Sequence, residues 1–292
     1  MNQKSAWFLA TRPKTLFASM GPVFLGLFLS FQVEDGLKPI IAFLTLASAL
    51  FMQIGTNLVN DYFDFKTGVD SQKRLGPRRV TSEGLLSPKQ VQRGYQFCFF
   101  LAFLLGLYLM KIGGAPIIII GLLSLLTAYL YTGGPFPLSH NGLGEVMALI
   151  FFGPLAVWGT FFLQTDTFSP FPLIVGLGPG LIAAALMAIN NLRDIKSDKK
   201  AGKKTLAVLL GEKRARSLCL LFILFSGIIP LLCYYLDPRP LLILPALCPY
   251  LFWDQWKKLR RNPIDEKINL ILAKTGQYLF LYSLLFGIGL IV

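Results

Sequence analysis

Residues 54–70 read Ile54-Gly-Thr-Asn57-Leu-Val-Asn60-Asp61-Tyr-Phe-Asp64-Phe-Lys-Thr-Gly68-Val-Asp70, an apolar run that ends in carboxylates and amides. In a helix, Asn60 and Asp64 lie four residues apart on one face, and Asn57, Asp61 and Asp64 follow one stripe. A helix C-terminus carries the negative end of the macrodipole, so acids gathered there are unfavourable unless positive charge is recruited. The stretch predicts a buried helix whose exit concentrates hard oxygen donors.

A second stretch repeats the design. Asn190-Asn191-Leu-Arg193-Asp194-Ile-Lys-Ser-Asp198 also leaves an apolar run, and Asn190, Asp194 and Asp198 step at i, i+4 and i+8 along one helical face. One such cluster could be a solvated helix end. Two clusters of the same spacing, each at the exit of an apolar run, favour a shared functional site.

The surrounding composition excludes an ordinary soluble globule: of 292 residues, 54% are hydrophobic and only 15% charged. Each membrane crossing needs about 20 apolar residues, and nine runs meet the requirement, at approximately 16–33, 40–60, 94–112, 114–131, 143–164, 172–191, 217–236, 240–256 and 270–291. The expected fold is all-α: a polytopic membrane protein of nine transmembrane helices around a central cavity that opens to the cytoplasmic side. Residues 1–292 then form a single transmembrane domain with cytoplasmic cap loops at about 61–93, 131–145 and 192–216. With the N-terminus inside, 25 of the 28 Lys and Arg residues fall on the cytoplasmic side, leaving Lys38, Lys111 and Arg239 outside. The positive-inside rule places the N-terminus in the cytoplasm and the C-terminus outside, in the cell (inner) membrane. The net charge of +13 is thereby assigned to topology and the lipid bilayer, with no nucleic acid as partner.

Cys98, Cys219, Cys233 and Cys248 sit inside apolar runs without C-x-x-C spacing and read as small buried hydrophobes. Thr11-Arg12-Pro13-Lys14-Thr15 interrupts the first apolar run too early for a cleavable signal, so the first span is expected to be retained. Arg12 and Lys14 place cations at the mouth of the bundle. Ser87-Pro88 reads as a helix start, Gly113-Gly114 as a tight turn, and the single histidine, His140, as an exposed loop residue. The last three runs hold no comparable acidic cluster and read as scaffold.

Two sets of carboxylate and amide oxygens beside basic loops suit Mg²⁺, which takes one or two carboxylates and completes its shell with water and phosphate oxygens. A diphosphate clamped between two such sites can depart as the developing charge is neutralised. A site buried in the membrane also leaves room for a hydrocarbon tail, which points to an isoprenyl diphosphate.

The residues that carry this chemistry resemble the UbiA superfamily of intramembrane prenyltransferases, whose paired motifs stand here as Asn60-Asp61-Tyr-Phe-Asp64 and Asp194-Ile-Lys-Ser-Asp198. Within it, the chain is similar to the 1,4-dihydroxy-2-naphthoate prenyltransferases of menaquinone biosynthesis in Arg12-Pro13-Lys14-Thr15, Arg74-x-Gly76-Pro77, Tyr131-Thr132-Gly133-Gly134, Gly142-Leu-Gly144-Glu145, and Asn190-Asn191-Leu-Arg193-Asp194 through Gly202-Lys-Lys-Thr205-Leu. One departure is visible: the superfamily's third acid of the first motif is Gly68 here, and Asp70 follows two residues later.

The resemblance implies that Mg²⁺ is held by Asn60, Asp64, Asp70, Asp194 and Asp198, with Asp61 beside them in the catalytic set. Arg12, Lys14, Asn57, Lys73, Arg74, Asn190, Asn191 and Arg193 would contact the substrates, and Tyr131 would stabilise an allylic cation through its ring face. The implied reaction transfers a polyprenyl group to 1,4-dihydroxy-2-naphthoate with loss of carbon dioxide and diphosphate, giving demethylmenaquinone. The acidic motifs fit equally a relative acting on homogentisate or 4-hydroxybenzoate. A cation-coupled transporter is the reading from a different class, and it predicts acids near the bilayer midplane, not at helix exits.

Overall fold

The computed structural model describes residues 2–31, 33, 36–68, 75–76 and 79–292. Asp70, Lys73 and Arg74 lie outside the described residues, as does the side chain of Lys14. All regular structure among the described residues is helical.

The chain enters through α1 (Gln3–Thr11), capped by the Asn2 side chain on the Ser5 N–H, and breaks at Arg12, which adopts a left-handed conformation (φ 51°). Pro13 then occupies the first turn of α2 (Pro13–Ser30), where its missing N–H costs nothing. Helix α3 (Pro39–Lys66) carries the opening motif. Helix α4 (Pro88–Leu130) starts at a capping box: Ser87 accepts from the Gln90 N–H while the Gln90 side chain accepts from the Ser87 N–H. At Gly114 (φ 58°, ψ −149°) α4 leaves helical geometry. A Cβ at Gly121 would come 2.6 Å from Met110 Cε, although a straight helix would separate these residues by about 16 Å. The chain therefore folds back on itself at Gly114, where the sequence predicts a turn.

Beyond it come α5 (Gly144–Phe151), α6 (Pro154–Thr165), α7 (Phe171–Arg193), α8 (Ile195–Lys200), α9 (Leu206–Leu210), α10 (Glu212–Leu236), α11 (Ile243–Leu251), α12 (Trp253–Arg261) and α13 (Ile268–Ile291). Among the described residues, six helical stretches are long and apolar enough to cross a membrane: Pro39–Lys66, Pro88–Leu130, Gly144–Thr165, Phe171–Arg193, Glu212–Leu236 and Ile268–Ile291; a shorter one covers Thr15–Ser30.

Several predicted boundaries move. The run 143–164 is two helices broken at Gly153, and the run 240–256 breaks at Phe252 into α11 and the separate α12. At Gly153 the reason is close packing: a Cβ there would lie 2.6 Å from both the Gly176 carbonyl and Gly180 Cα, so only glycine lets α6 approach the Gly176-x-x-x-Gly180 face of α7. Helix α3 does not end near residue 60 but continues through the first acidic cluster to Lys66, and α4 begins at Pro88, so the first cap loop is shorter than the expected 61–93.

The bundle core is built from α2, α5–α7, α10, α11 and α13. Tyr278, Tyr282 and Phe286 stack edge to face along α13, and the two phenols are satisfied by Ser226 of α10, at 2.8 Å to its hydroxyl and 2.7 Å to its carbonyl. All four cysteines are free and buried. A second core joins α1, α3 and the start of α4 through Leu58, Val59, Val91 and Tyr95, and traps Val80 and Leu86 of the intervening loop.

Candidate active site

The exits of α3 and α7 face one cavity of about 1200 Å³. Asn57, Asn60 and Asp64 of α3 line it, as do Asn190, Asn191 and Arg193 of α7, Asp194 at its C-cap, Asp198 of α8, Tyr131 and Arg12. The lining runs along α3 from Thr45 to Asp64, a length of about 28 Å at the helical rise per residue. Away from the acids it is mainly apolar, with Met52, Phe103, Leu109, Ile117, Ile120, Leu125 and Leu163 among its walls and scattered hydroxyls such as Ser48 and Thr160 between them.

In the first cluster, positive charge comes from distant parts of the chain. Arg79 Nη2 stands 2.6 Å from Asp64 Oδ2, and its Nη1 donates to the Asn60 carbonyl at 2.5 Å and lies 3.7 Å from Asp61 Oδ1. Arg12 pairs with Asp61. Asp61 is 1% exposed and lies behind the wall, so its part is to hold Arg12 and Arg79. Asn57 donates to the Thr11 carbonyl and the Thr15 hydroxyl, both at 3.1 Å, tying α3 to the α1–α2 break. Asn60 accepts from the Thr132 hydroxyl.

The second cluster is arranged by its own helix. Arg193 forks onto Asp194 through Nε (2.9 Å) and Nη2 (2.6 Å), and Nη2 also reaches Asn190 Oδ1 at 2.8 Å. Its Nη1 donates to Asn269 of α13 at 3.1 Å, and Asn269 donates to the Leu75 carbonyl at 2.7 Å. One residue joins the clusters: Lys203 Nζ lies 3.2 Å from Asp64 Oδ1 and 3.8 Å from Asp198 Oδ1. The neighbouring Lys204 N–H donates to the His140 carbonyl at 2.8 Å, latching the third cap loop to the second.

His140 is not an exposed loop residue. Its side chain is mostly buried with Nε2 4.0 Å from Asp64 Oδ1. Burial and then the Lys203 charge lower its pKa below the usual 6.5, and Asp64 opposes them only partly. The imidazole is neutral at pH 7.

Sequence reasoning missed Arg79, Lys203, Thr132 and Asn269. Arg79 and Lys203 belong to basic runs that topology alone explains, and nothing local distinguishes them from their neighbours. Asn269 opens a helix read as scaffold.

The donor set fits Mg²⁺. Asn60, Asp64, Asn190, Asp194 and Asp198 all offer hard oxygens to one end of the cavity. Among the described residues no three acidic, His or Cys side chains cluster tightly enough to cage an ion alone, which is the sparse arrangement expected for an ion completed by phosphate and water. The Lys203 ammonium between Asp64 and Asp198 shows that the space joining the clusters accepts positive charge.

Known proteins resemble this chain in sequence and fold. The 1,4-dihydroxy-2-naphthoate octaprenyltransferase of Haemophilus influenzae is 32% identical, covering 100% of this chain and 98% of its own; that of Bacillus subtilis is 32% identical over 97% and 91%. A UbiA homologue from Archaeoglobus fulgidus bound to GPP and Mg²⁺ has the same fold, with a TM-score of 0.69 over 98% of this chain and 99% of that one at 18% identity. The UbiA prenyltransferase family model matches residues 19–285. With two oxygen-donor clusters at the head of a long apolar cavity, and with relatives alike over their whole length, this multi-pass membrane protein belongs to the UbiA prenyltransferase family.

Proposed function

We propose that the protein transfers a polyprenyl group from an isoprenyl diphosphate to 1,4-dihydroxy-2-naphthoate, releasing carbon dioxide and diphosphate and giving the quinol form of demethylmenaquinone. The observation that carries the reading is the cavity itself: it runs about 28 Å along α3, with hard oxygens and cations gathered at one end and a mainly apolar lining beyond them. The full-length likeness to naphthoate octaprenyltransferases supports this acceptor over homogentisate or 4-hydroxybenzoate.

In this reading Asn60, Asp64, Asp70, Asp194 and Asp198 would hold Mg²⁺. Bound there, the ion supplies Lewis-acid neutralisation of the departing diphosphate. Lys203 and Arg79 bind diphosphate oxygens, Lys14, Lys73 and Arg74 are further cations for the substrates, and Asp61 aims Arg12 and Arg79. The apolar wall seats the tail and excludes water from the allylic cation, which the Tyr131 ring face stabilises. The carboxyl-bearing ring carbon then forms the new C–C bond, and the electron pair of the breaking carboxyl bond restores aromaticity as carbon dioxide leaves.

The same reading has nine crossings, with α4 and its fold at Gly114 supplying two, in the cell (inner) membrane, the N-terminus cytoplasmic and the C-terminus outside. Residues 1–292 act as one domain whose cap loops close the cytoplasmic mouth. The test is turnover by the purified protein of octaprenyl diphosphate with naphthoate, 4-hydroxybenzoate or homogentisate, following both the prenylated product and ¹⁴CO₂ from carboxyl-labelled acceptor with and without Mg²⁺. Naphthoate-dependent, EDTA-sensitive ¹⁴CO₂ release is expected; preferred turnover of another acceptor overturns the assignment.

A further inference from the structure

Glu145 belongs to neither acidic motif, yet it is 2% exposed in the first turn of α5. Its Oε1 accepts the Asn191 Nδ2 at 3.0 Å, while Oε2 is sealed from solvent with no hydrogen-bond partner. A buried carboxyl with one oxygen unmatched is costly and is retained where it sets up something else. Here it sets an amide. A carboxylate oxygen only accepts, so this bond fixes which end of Asn191 faces Glu145. Asn191 lines the cavity, and with Nδ2 committed to Glu145, its Oδ1 on the opposite side of the amide is left for a ligand.

Tyr131 and Met187 stand beside it. A Cβ at Gly144 would come 3.1 Å from the Tyr131 hydroxyl and 3.8 Å from Asn191 Nδ2. The Tyr131 hydroxyl is itself directed at Met187 Sδ, 2.8 Å away, and Tyr131 and Met187 both line the cavity. A ring face, a thioether and one carbonyl acceptor suit a planar aromatic that carries a hydroxyl donor. They do not suit a diphosphate, which needs cations or N–H donors.

We propose that Glu145 is a positioning residue that locks the Asn191 amide so that Oδ1 accepts a ring hydroxyl of the aromatic substrate, making the Glu145–Asn191 pair a recognition device for the acceptor. The inference rests on the prenyl-transfer reading above. It explains the second amide of Asn190-Asn191: Asn190 bonds the Arg193 fork of the diphosphate end, and Asn191 serves the acceptor.

The test measures KM for octaprenyl diphosphate and for 1,4-dihydroxy-2-naphthoate, together with each monomethyl ether of the latter, in full-length wild type, Glu145→Leu, Glu145→Gln and Asn191→Leu. Glu145→Leu is expected to raise the acceptor KM about tenfold, the worth of one hydrogen bond, leaving the diphosphate KM unchanged. Glu145→Gln, whose amide oxygen can still accept from Asn191, should recover most of that loss. Wild type should disfavour one ether by a similar factor, and Asn191→Leu should bind that ether and the parent acceptor alike. Both KM values rising together in Glu145→Leu, with a lowered unfolding temperature, would make the residue merely structural. Discrimination against the ether that persists in Asn191→Leu overturns the proposal even if Glu145→Leu does not fold. Absence of wild-type turnover with the naphthoate would refute the prenyl-transfer reading instead.

Discussion

The two acidic clusters share a spacing but are held in opposite ways. At the exit of α3, the partners of Asp61 and Asp64 come from 49, 15 and 139 residues away in sequence or thereabouts, in Arg12, Arg79 and Lys203. At the exit of α7, Arg193 grips its immediate neighbour Asp194 and, three residues back, Asn190. One cluster is assembled by the tertiary fold, the other by its own helix. The difference teaches that an acid cluster at a negative helix end can recruit its nearest cation locally or from remote segments, and that Asp64 meets Arg79 and Lys203 only when both cap loops are in place.

The most severe way to probe this contrast is to remove one carboxylate that faces the cavity. Asp64→Asn should lower kcat about a thousandfold, because the departing diphosphate loses its countercharge arrangement where charge develops. Asp61→Asn should cost clearly less, since Asp61 lies behind the wall and acts through Arg12 and Arg79. Steady-state turnover of both variants at saturating Mg²⁺ decides it; equal losses would erase the distinction between lining and supporting carboxylates.

Next comes the local grip. Arg193→Leu strips a buried carboxylate of its bidentate partner and should destabilise the protein by about 3 kcal/mol, read as a lowered unfolding temperature in detergent. Arg12→Ala should cost less, about 1–2 kcal/mol, because the buried Asp61 keeps Arg79 at 3.7 Å. A larger effect at Arg12 would show that the remotely assembled cluster also carries the stability of the bundle.

Lys203→Met sharpens the link between the clusters. It should raise the KM for prenyl diphosphate about tenfold, as one charge-assisted contact is lost, and leave the KM for the aromatic acid in place. A shift confined to the acid would move Lys203 to the acceptor side.

The smallest effect concerns His140. Its folded pKa lies below the ordinary 6.5, so the unfolded chain binds its proton first and folding stability falls as pH drops through about 6.5 towards the lower folded value. Above that window the contribution is constant. His140→Gln should remove this slope, a few tenths of a degree to a few degrees in unfolding temperature between pH 7 and 5.5; an unchanged slope would mean that His140 titrates as in the unfolded chain.

Much of the architecture was legible because its signals are local. Apolar runs set the helices, Ser87-Pro88 the start of α4, Gly114 the reversal, and the two i, i+4 patterns the faces of α3 and α7. The broken helices at Gly153 and Phe252 were not legible, since an apolar run looks continuous whatever its backbone does, and the break at Gly153 exists for its close contact with α7.

Sequence by itself determined that two sets of oxygen donors would leave a membrane bundle on helix ends, because residue type and helical period need nothing beyond the segment. Only the tertiary structure decided which cations meet them. Arg79 and Lys203 resemble the other basic residues of their loops until folding brings them within 2.6 and 3.2 Å of Asp64, and Glu145 is a helix-start acid until α7 brings Asn191 against it. Such pairings depend on where distant segments cross, and burial at the crossing gives each charge its partner.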